Sequence, residues 1–115
     1  MTRESVIKEV IEDLTTELQS DKDFSADKLA VKVKNVYREI VSRRNYGVTS
    51  FANNNDKIAE DLYSNYYHIL VNASRYDYNQ IGIEGEKSHS ENDINRSYVE
   101  RDKLFADIMP FVNMF

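Results

Sequence analysis

Apolar residues recur at alternating spacings of three and four along most of this chain, and that pattern limits the possible folds more than any other feature. The spacing is that of an amphipathic helix with one buried stripe. Only three glycines and one proline occur among 115 residues, so few positions favour the turns of a β-sandwich. The sequence therefore predicts a single, mainly all-α domain over residues 1–115, a length close to the commonest domain size.

Two helices are predicted in the first half of the chain. The first spans residues 3–19 with Thr2 as its N-cap, because an apolar stripe begins directly after that hydroxyl side chain. Ser25 is the predicted N-cap of the second helix, which ends near Arg44 and is terminated by Gly47. These two helices and the one that follows are expected to form a three-helix core.

The third helix is predicted to be the longest, over residues 56–79, with Asn55 or Asp56 as its cap. Apolar and aromatic residues mark its inner face. They are Ile58, Ala59, Leu62, Tyr66, Ile69, Leu70, Ala73 and Tyr76.

Residues 80–99 interrupt the helical pattern. Gly82 and Gly85 lie here among serines and asparagines, and Ile81 and Ile83 alternate with other residues as in a strand. The segment therefore predicts a short, irregular β-hairpin. Because two strands alone are marginal in water, this hairpin would rest on the helices or on another molecule.

A short last helix is predicted over residues 101–109, ahead of Pro110, and an apolar tail follows. One side of this helix is expected to be apolar. Its residues are Leu104, Phe105, Ile108 and Met109.

The charge balance narrows the possible partners. Fifteen Lys and Arg residues against 20 Asp and Glu residues give a net charge of −5, whereas binding to duplex nucleic acid usually requires a basic surplus. The chain has no cysteine, so disulfides, thiolate metal sites and cysteine nucleophiles are excluded. No apolar run approaches the ~20 residues of a membrane span, and we expect no membrane association.

No residue pattern predicts catalysis, a cofactor or a metal site. His68 and His89 lack further ligands at metal-binding spacing, and Ser88 or Ser90 beside His89 would point to opposite faces of a strand. Neighbouring carboxylates such as Glu60 and Asp61 are interpreted as solvated charges. The expectation is a protein that is not an enzyme.

Two surfaces are candidates for binding. The tyrosines, phenylalanines and apolar tail exceed what a small core can hide, which favours a partner interface. Basic residues also concentrate in the second helix, over residues 28–44, where a solvated face, a docking stripe for an acidic partner and a nucleic-acid stripe remain alternatives. The basic residues are Lys28, Lys32, Lys34, Arg38, Arg43 and Arg44.

The segment YNQIGIEGEKSHSEN at residues 78–92, followed by Ile94, Arg96-Ser97-Tyr98 and Ile108-Met109-Pro110, resembles a known family. It is similar to the head–tail connector (adaptor or head-completion) proteins of long-tailed double-stranded DNA phages and prophages of Gram-positive bacteria. The long preceding helix and the chain length match as well, whereas residues 1–50 match only in helical character. Asp93 stands where the family pattern has a glycine, and the proline expected before the last helix is missing.

The resemblance implies a virion structural protein that is made in the bacterial cytoplasm. It would form a ring, expected to be a dodecamer, under the portal protein, extend the DNA channel, and carry the next head-completion or tail protein. DNA would pass through without sequence-specific binding, because an acidic wall does not retain it. The alternative is a small helical host adaptor or nucleic-acid-associated regulator that uses the basic face of residues 28–44.

The resemblance also indicates which residues make contacts. Residues 82–98 are the expected interface with other subunits or neck proteins, and the apolar end of the chain is the expected docking tail. The motif positions are Gly82, Gly85, Glu86, Ser88, His89, Ser90, Glu91, Asn92, Arg96 and Tyr98. The tail positions are Phe111, Met114 and Phe115.

Overall fold

Three packed α-helices make up the body of the protein. The structure, a computed structural model, describes residues 1–46, 53–84 and 100–110. Its helices are α1 (Arg3–Leu18), α2 (Ala26–Arg44) and α3 (Asn55–Glu84). Each helix contacts the other two, and no strand occurs within those ranges. The all-α prediction is confirmed for this part of the chain.

Side-chain caps begin the first two helices, as predicted. The Thr2 hydroxyl accepts from the Ser5 backbone N–H at 3.1 Å, and the Ser5 hydroxyl accepts from the Thr2 N–H at 3.0 Å. This reciprocal pair satisfies two backbone donors that the helix leaves without partners. At α2, the Ser25 hydroxyl accepts from the Lys28 N–H at 3.3 Å.

The predicted terminator of α2 and the predicted cap of α3 are both wrong. Asn45, not Gly47, ends α2, with a left-handed backbone at φ 60° and ψ 51°. Asparagine tolerates that conformation better than most residues, and Gly47 lies outside the described residues. The α3 cap is Asn54, whose side-chain oxygen accepts from the Lys57 N–H at 3.1 Å.

The predicted apolar stripes form one core between the three helices. Val10 and Leu14 of α1 and Leu29 of α2 belong to this core, and all three side chains are fully buried. The stripes agree with the spacing of three and four because side chains at those intervals share one helix face. The other large fully buried apolar residues are Val6, Val33, Val36, Ile40, Leu62 and Leu70.

Helix α2 runs antiparallel to α3. At one end Arg44 contacts Asp61, and at the other the Ser25 N–H donates to the Tyr78 hydroxyl at 3.0 Å. Phe24 packs on the same tyrosine with ring centroids 5.9 Å apart. Tyr78 therefore fastens the start of α2 to the far end of α3.

The predicted β-hairpin is wrong in its first strand. Residues 80–84, including Gly82, continue α3, which has 30 residues and a length of about 45 Å. Extending a formed helix adds one hydrogen bond per residue, whereas an isolated strand needs a new partner. The hydrogen bonds gained over residues 80–84 together outweigh the cost of placing Gly82 in a helix, about 1 kcal/mol. Residues 85–99, which contain the rest of the expected hairpin, lie outside the described residues.

The last helix is shorter than predicted. Only residues 100–104 are helical within the described segment, and turns follow at residues 105–107. The Phe105 N–H donates to the Asp102 carbonyl and the Ile108 N–H to the Phe105 carbonyl, both at 3.1 Å and both three residues back. The residue before a proline avoids the α conformation, so Pro110 limits how far the helix can continue.

Candidate functional site

The structure describes one of the ten predicted motif positions. Gly82 lies in the last turns of α3, and the other motif positions fall within residues 85–99, outside the described part of the chain. The tail positions Phe111, Met114 and Phe115 also lie outside it. The residues on either side of 85–99 are described, however, and those on the C-terminal side form a polar cluster with α2 and α3.

Arg101 holds this C-terminal flank between two helices. Its Nε and Nη2 donate to the two carboxylate oxygens of Asp77 in α3 at 2.7 and 2.8 Å. Its Nη1 and Nη2 donate to the two carboxylate oxygens of Glu39 in α2 at 3.0 and 2.6 Å. One guanidinium thus makes two paired contacts, the geometry that gives arginine its strongest carboxylate binding.

Electrostatics at this cluster favour the charged forms. The hydrogen bonds from Arg101 to Asp77 and Glu39 raise the pKa of the guanidinium, although burial opposes this shift. Burial alone would raise the pKa of Glu39, but the hydrogen bonds and charges of Arg101 and Arg43 exceed it and lower the pKa. Arg101 and Glu39 are therefore both charged at neutral pH.

Phe105 is the apolar anchor of the same segment. Its side chain is only 2% exposed, and two guanidinium groups lie over its ring, that of Arg43 at 4.5 Å and that of Arg101 at 5.0 Å from the centroid. Arg43 also pairs with Asp102 at 3.1 Å. Ile108, like Phe105, is buried in the core cluster.

We call the set Arg101, Asp102, Phe105 and Ile108 the C-terminal clasp. The clasp extends to Met109, whose backbone carbonyl accepts from Arg44. Met109 itself was expected on the apolar side, but its side chain is 69% exposed because the helix ends before it. The sequence signal that could have identified the clasp is an arginine four residues ahead of a phenylalanine, Arg101 and Phe105. In the folded protein both residues lie next to the arginine pair that ends α2.

Asp61 is a second buried polar centre, and its interpretation as a solvated charge is wrong. Its side chain is 13% exposed, whereas that of the neighbouring Glu60 is 62% exposed. Arg44 donates to it at 3.3 Å, Asn65 donates to it at 2.8 Å, and the Tyr46 hydroxyl donates to it as well. The pKa of Tyr46 is raised by burial and by this hydrogen bond to Asp61.

The described tyrosines do not form the exposed aromatic surface that composition suggested. Tyr63 donates to Glu9 at 3.1 Å and Tyr67 donates to Asp13, so carboxylates of α1 take up both hydroxyls. Every tyrosine within the described ranges is at least partly buried. A large core is not needed to hide these rings, because neighbouring carboxylates satisfy their polar ends.

The basic residues of α2 do not form one continuous stripe. Arg44 is largely buried against Asp61, and Arg43 pairs with Glu39 and Asp102. Exposed cations remain at Lys28, Lys34 and Arg38.

A pocket of about 400 Å³ opens between the start of α1, the second half of α2 and the start of α3. We call it the arginine pocket. Its lining residues are Arg3, Tyr37, Arg38, Val41, Asn55 and Ile58. The sequence analysis identified none of these as a site, because the two arginines are 35 positions apart and only the packing of α1 on α2 brings them together.

Across the described residues, no group of three or more His, Asp or Glu side chains could hold a metal ion. His68 is exposed on α3, and His89 lies outside the described ranges. None of the described helices is both long enough and apolar enough to cross a membrane.

Comparison of the chain with protein-family models, curated proteins and solved structures gives no match.

Proposed function

We propose that this protein is a subunit of a phage head–tail connector ring, which docks under the portal, extends the DNA channel and carries the next head-completion or tail protein. The proposal rests first on the resemblance of residues 78–110 to that family. In this role the protein is not an enzyme. Its interactions are contacts between subunits that repeat around a ring, with each subunit meeting its neighbour through two different surfaces.

The observation that carries the proposal is the anchoring of both flanks of the motif segment. On the N-terminal side, α3 continues to Glu84. On the C-terminal side, Arg101 is held by Asp77 and Glu39, and Phe105 is buried beneath the guanidinium groups of Arg43 and Arg101. A recognition segment fixed at both ends to a rigid body loses less conformational entropy on binding than a free chain does.

The charge of the protein also supports this role. A net charge of −5 repels DNA at long range, as a channel wall that lets DNA slide must do. Two of the six basic residues of α2, Arg43 and Arg44, are engaged with carboxylates of the same chain. This leaves less positive charge for the alternative, a nucleic-acid regulator.

The test is to delete the gene from the genome that carries it and to image the particles in the induced lysate. The connector role predicts filled or leaking heads beside unattached tails, and restoration of tailed particles by the intact gene on a plasmid. Tailed particles in normal numbers after the deletion would overturn the proposal.

A second experiment separates the connector from the regulator. Purified protein is titrated into duplex DNA in a gel-shift assay at about 50 and 200 mM salt. A regulator would bind, and its affinity would fall steeply between the two salt concentrations, whereas the connector predicts no shift at either. The control is the triple variant Lys28→Glu, Lys34→Glu and Arg38→Glu, which would abolish any binding through the α2 face.

A further inference from the structure

The arginine pocket combines two positive charges with an apolar wall. Arg3 comes from the first turn of α1 and Arg38 from α2, whereas Val41 and Ile58 supply the apolar side. Arg38 is exposed and has no ion pair or hydrogen bond with any other described residue. Among the described residues, the one ion pair of Arg3 is a long contact of 3.9 Å with Glu4, whose side chain is exposed and free to give way.

A third polar group in this pocket has no partner. Tyr37 lines the pocket with only 3% of its surface exposed, and within the described structure its hydroxyl makes no hydrogen bond. The Arg3 guanidinium lies over its ring, 5.5 Å from the centroid. The hydroxyl oxygen of Tyr37 has less than 1 Å² of accessible surface, so a ligand in the pocket does not reach the hydroxyl.

The Tyr37 hydroxyl is a hydrogen-bond donor at neutral pH. Burial raises its pKa to about 12, with the Arg3 charge opposing the shift and the Glu4 charge adding to it. The hydroxyl is therefore uncharged at neutral pH, and the two arginines are the groups of the pocket that suit an anion.

We propose that the arginine pocket binds a carboxylate carried on an apolar body. Arg3 and Arg38 pair with the carboxylate. Val41 and Ile58 contact the apolar part. A volume of about 400 Å³ lies in the range of small-molecule sites and exceeds what inorganic phosphate would fill. This site is independent of the connector role and does not rest on it.

The test is a titration of the full chain, labelled with nitrogen-15, followed by amide NMR shifts. The probe is 3-phenylpropionate, and we expect saturable shifts of amides at Tyr37, Arg38 and Asn55 with a dissociation constant of about 1 mM, as suits a ligand of about 11 non-hydrogen atoms. The matched uncharged probe, 3-phenylpropanol, should bind at least about tenfold more weakly. Equal binding of the alcohol, equal binding of inorganic phosphate, or no saturable shift with the acid would overturn the proposal.

Variants locate the binding to this pocket. Arg38→Gln should lower the affinity for 3-phenylpropionate about tenfold. Lys34→Gln removes an exposed cation from the same helix but outside the pocket, and it should leave this affinity unchanged. Tyr37→Phe should leave binding unchanged and should not lower the unfolding midpoint, because the hydroxyl has no partner within the described structure and is not accessible from the pocket. Equal effects of the Arg38 and Lys34 variants would contradict the assignment.

The same carboxylate chemistry can come from a free small acid or from a peptide. N-acetylphenylalanine distinguishes these sources, because it adds a peptide amide to the same apolar acid. Affinity about tenfold above that of 3-phenylpropionate would indicate a peptide ligand, whereas equal or lower affinity would indicate a small organic acid; either order supports the site.

Discussion

Asn45 is held in a backbone conformation that most residues avoid, and a pair of substitutions can test this. Glycine has no steric penalty at positive φ, whereas alanine has a penalty of about 1 kcal/mol. Because both substitutions remove the amide side chain, their difference isolates the backbone term. We expect Asn45→Gly to be more stable than Asn45→Ala by about 1 kcal/mol in urea unfolding.

The control for this pair lies inside a helix. At the exposed position Lys34 in α2, alanine should be more stable than glycine by about 1 kcal/mol. The order of the two residues should therefore reverse between positions 34 and 45. If alanine were also the better residue at position 45, α2 would not end in the left-handed cap.

Asp61 should contribute far more to stability than its neighbour Glu60. Asp61→Asn removes the negative charge that accepts from Arg44 and Tyr46, next to a largely buried guanidinium. We expect a loss of about 2 kcal/mol in the free energy of unfolding at pH 7, measured by urea denaturation.

Glu60→Gln is the matched control, because Glu60 is exposed and its one ion pair within the described ranges is a 3.7 Å contact with the N-terminal amine. It should change stability by less than about 0.5 kcal/mol. Similar losses for both variants would mean that Asp61 is as solvated as the sequence suggested. Sequence alone could not separate the two carboxylates, because only the positions of Arg44 and Tyr46 in space decide which of them is buried.

At the scale of the elements, the caps and stripes of the first two helices were predictable, whereas the end of α3 was not. Thr2 and Ser25 cap through contacts three residues away, so the sequence contains the whole interaction. Alternation at Ile81 and Ile83 resembled a strand, yet Ile81 also stands three residues after Tyr78, as in a helix. So short an apolar pattern fits both the two-residue period of a strand and the 3.6-residue period of a helix. The segment is helical because it extends α3, which is already formed.

The C-terminal clasp should fasten residues 100–110 to α2 and α3 in a pH-dependent way. Arg101→Gln leaves the carboxylates of Glu39 and Asp77 close together without the cation between them. We expect a loss of about 2 kcal/mol at pH 7, less than for a fully buried pair because water reaches the cluster. Urea unfolding measures this loss.

The loss should shrink in acid. The folded-state pKa of Glu39 lies below its ordinary value of 4.5, so its contribution is present above pH 4.5 and is lost as the pH falls through the folded-state pKa. The difference between the native chain and Arg101→Gln should therefore be smaller at pH 3 than at pH 7. Arg38→Gln, which removes an exposed arginine of α2, should show little loss at either pH; a difference for Arg101→Gln that did not change with pH would exclude Glu39 as the partner.

For the whole molecule, the three-helix bundle followed from the sequence, but the use of its aromatic residues did not. Composition gives the number of aromatic rings but does not show which groups accept hydrogen bonds from the tyrosine hydroxyls. The carboxylates of Glu9 and Asp13 that accept from Tyr63 and Tyr67 are 54 residues away in the chain. The same holds for the arginine pocket, since its charges converge only after α1 packs on α2.

The expected docking tail gives a prediction for the whole molecule, because it separates folding from assembly. Ending the chain after Pro110 removes Phe111, Met114 and Phe115 but leaves the buried anchors Phe105 and Ile108 in place. We expect the truncated protein to unfold within about 0.5 kcal/mol of the full chain, since core contacts dominate stability. Urea denaturation measures this part.

Assembly should respond differently. If the tail supplies aromatic anchors to a neighbouring subunit or neck protein, their loss weakens that contact by about 2 kcal/mol or more, a factor of about 30. The truncated gene should then fail to restore tailed particles to the deletion strain. A full-length variant with serine at positions 111, 114 and 115 keeps the length of the tail but removes its apolar side chains. It should also fail to restore tailed particles if the apolar side chains are the anchors. Normal numbers of tailed particles from both variants would exclude the tail as a docking element. A similar loss in the free energy of unfolding of both variants, relative to the full chain, would mean that the tail stabilises the fold instead.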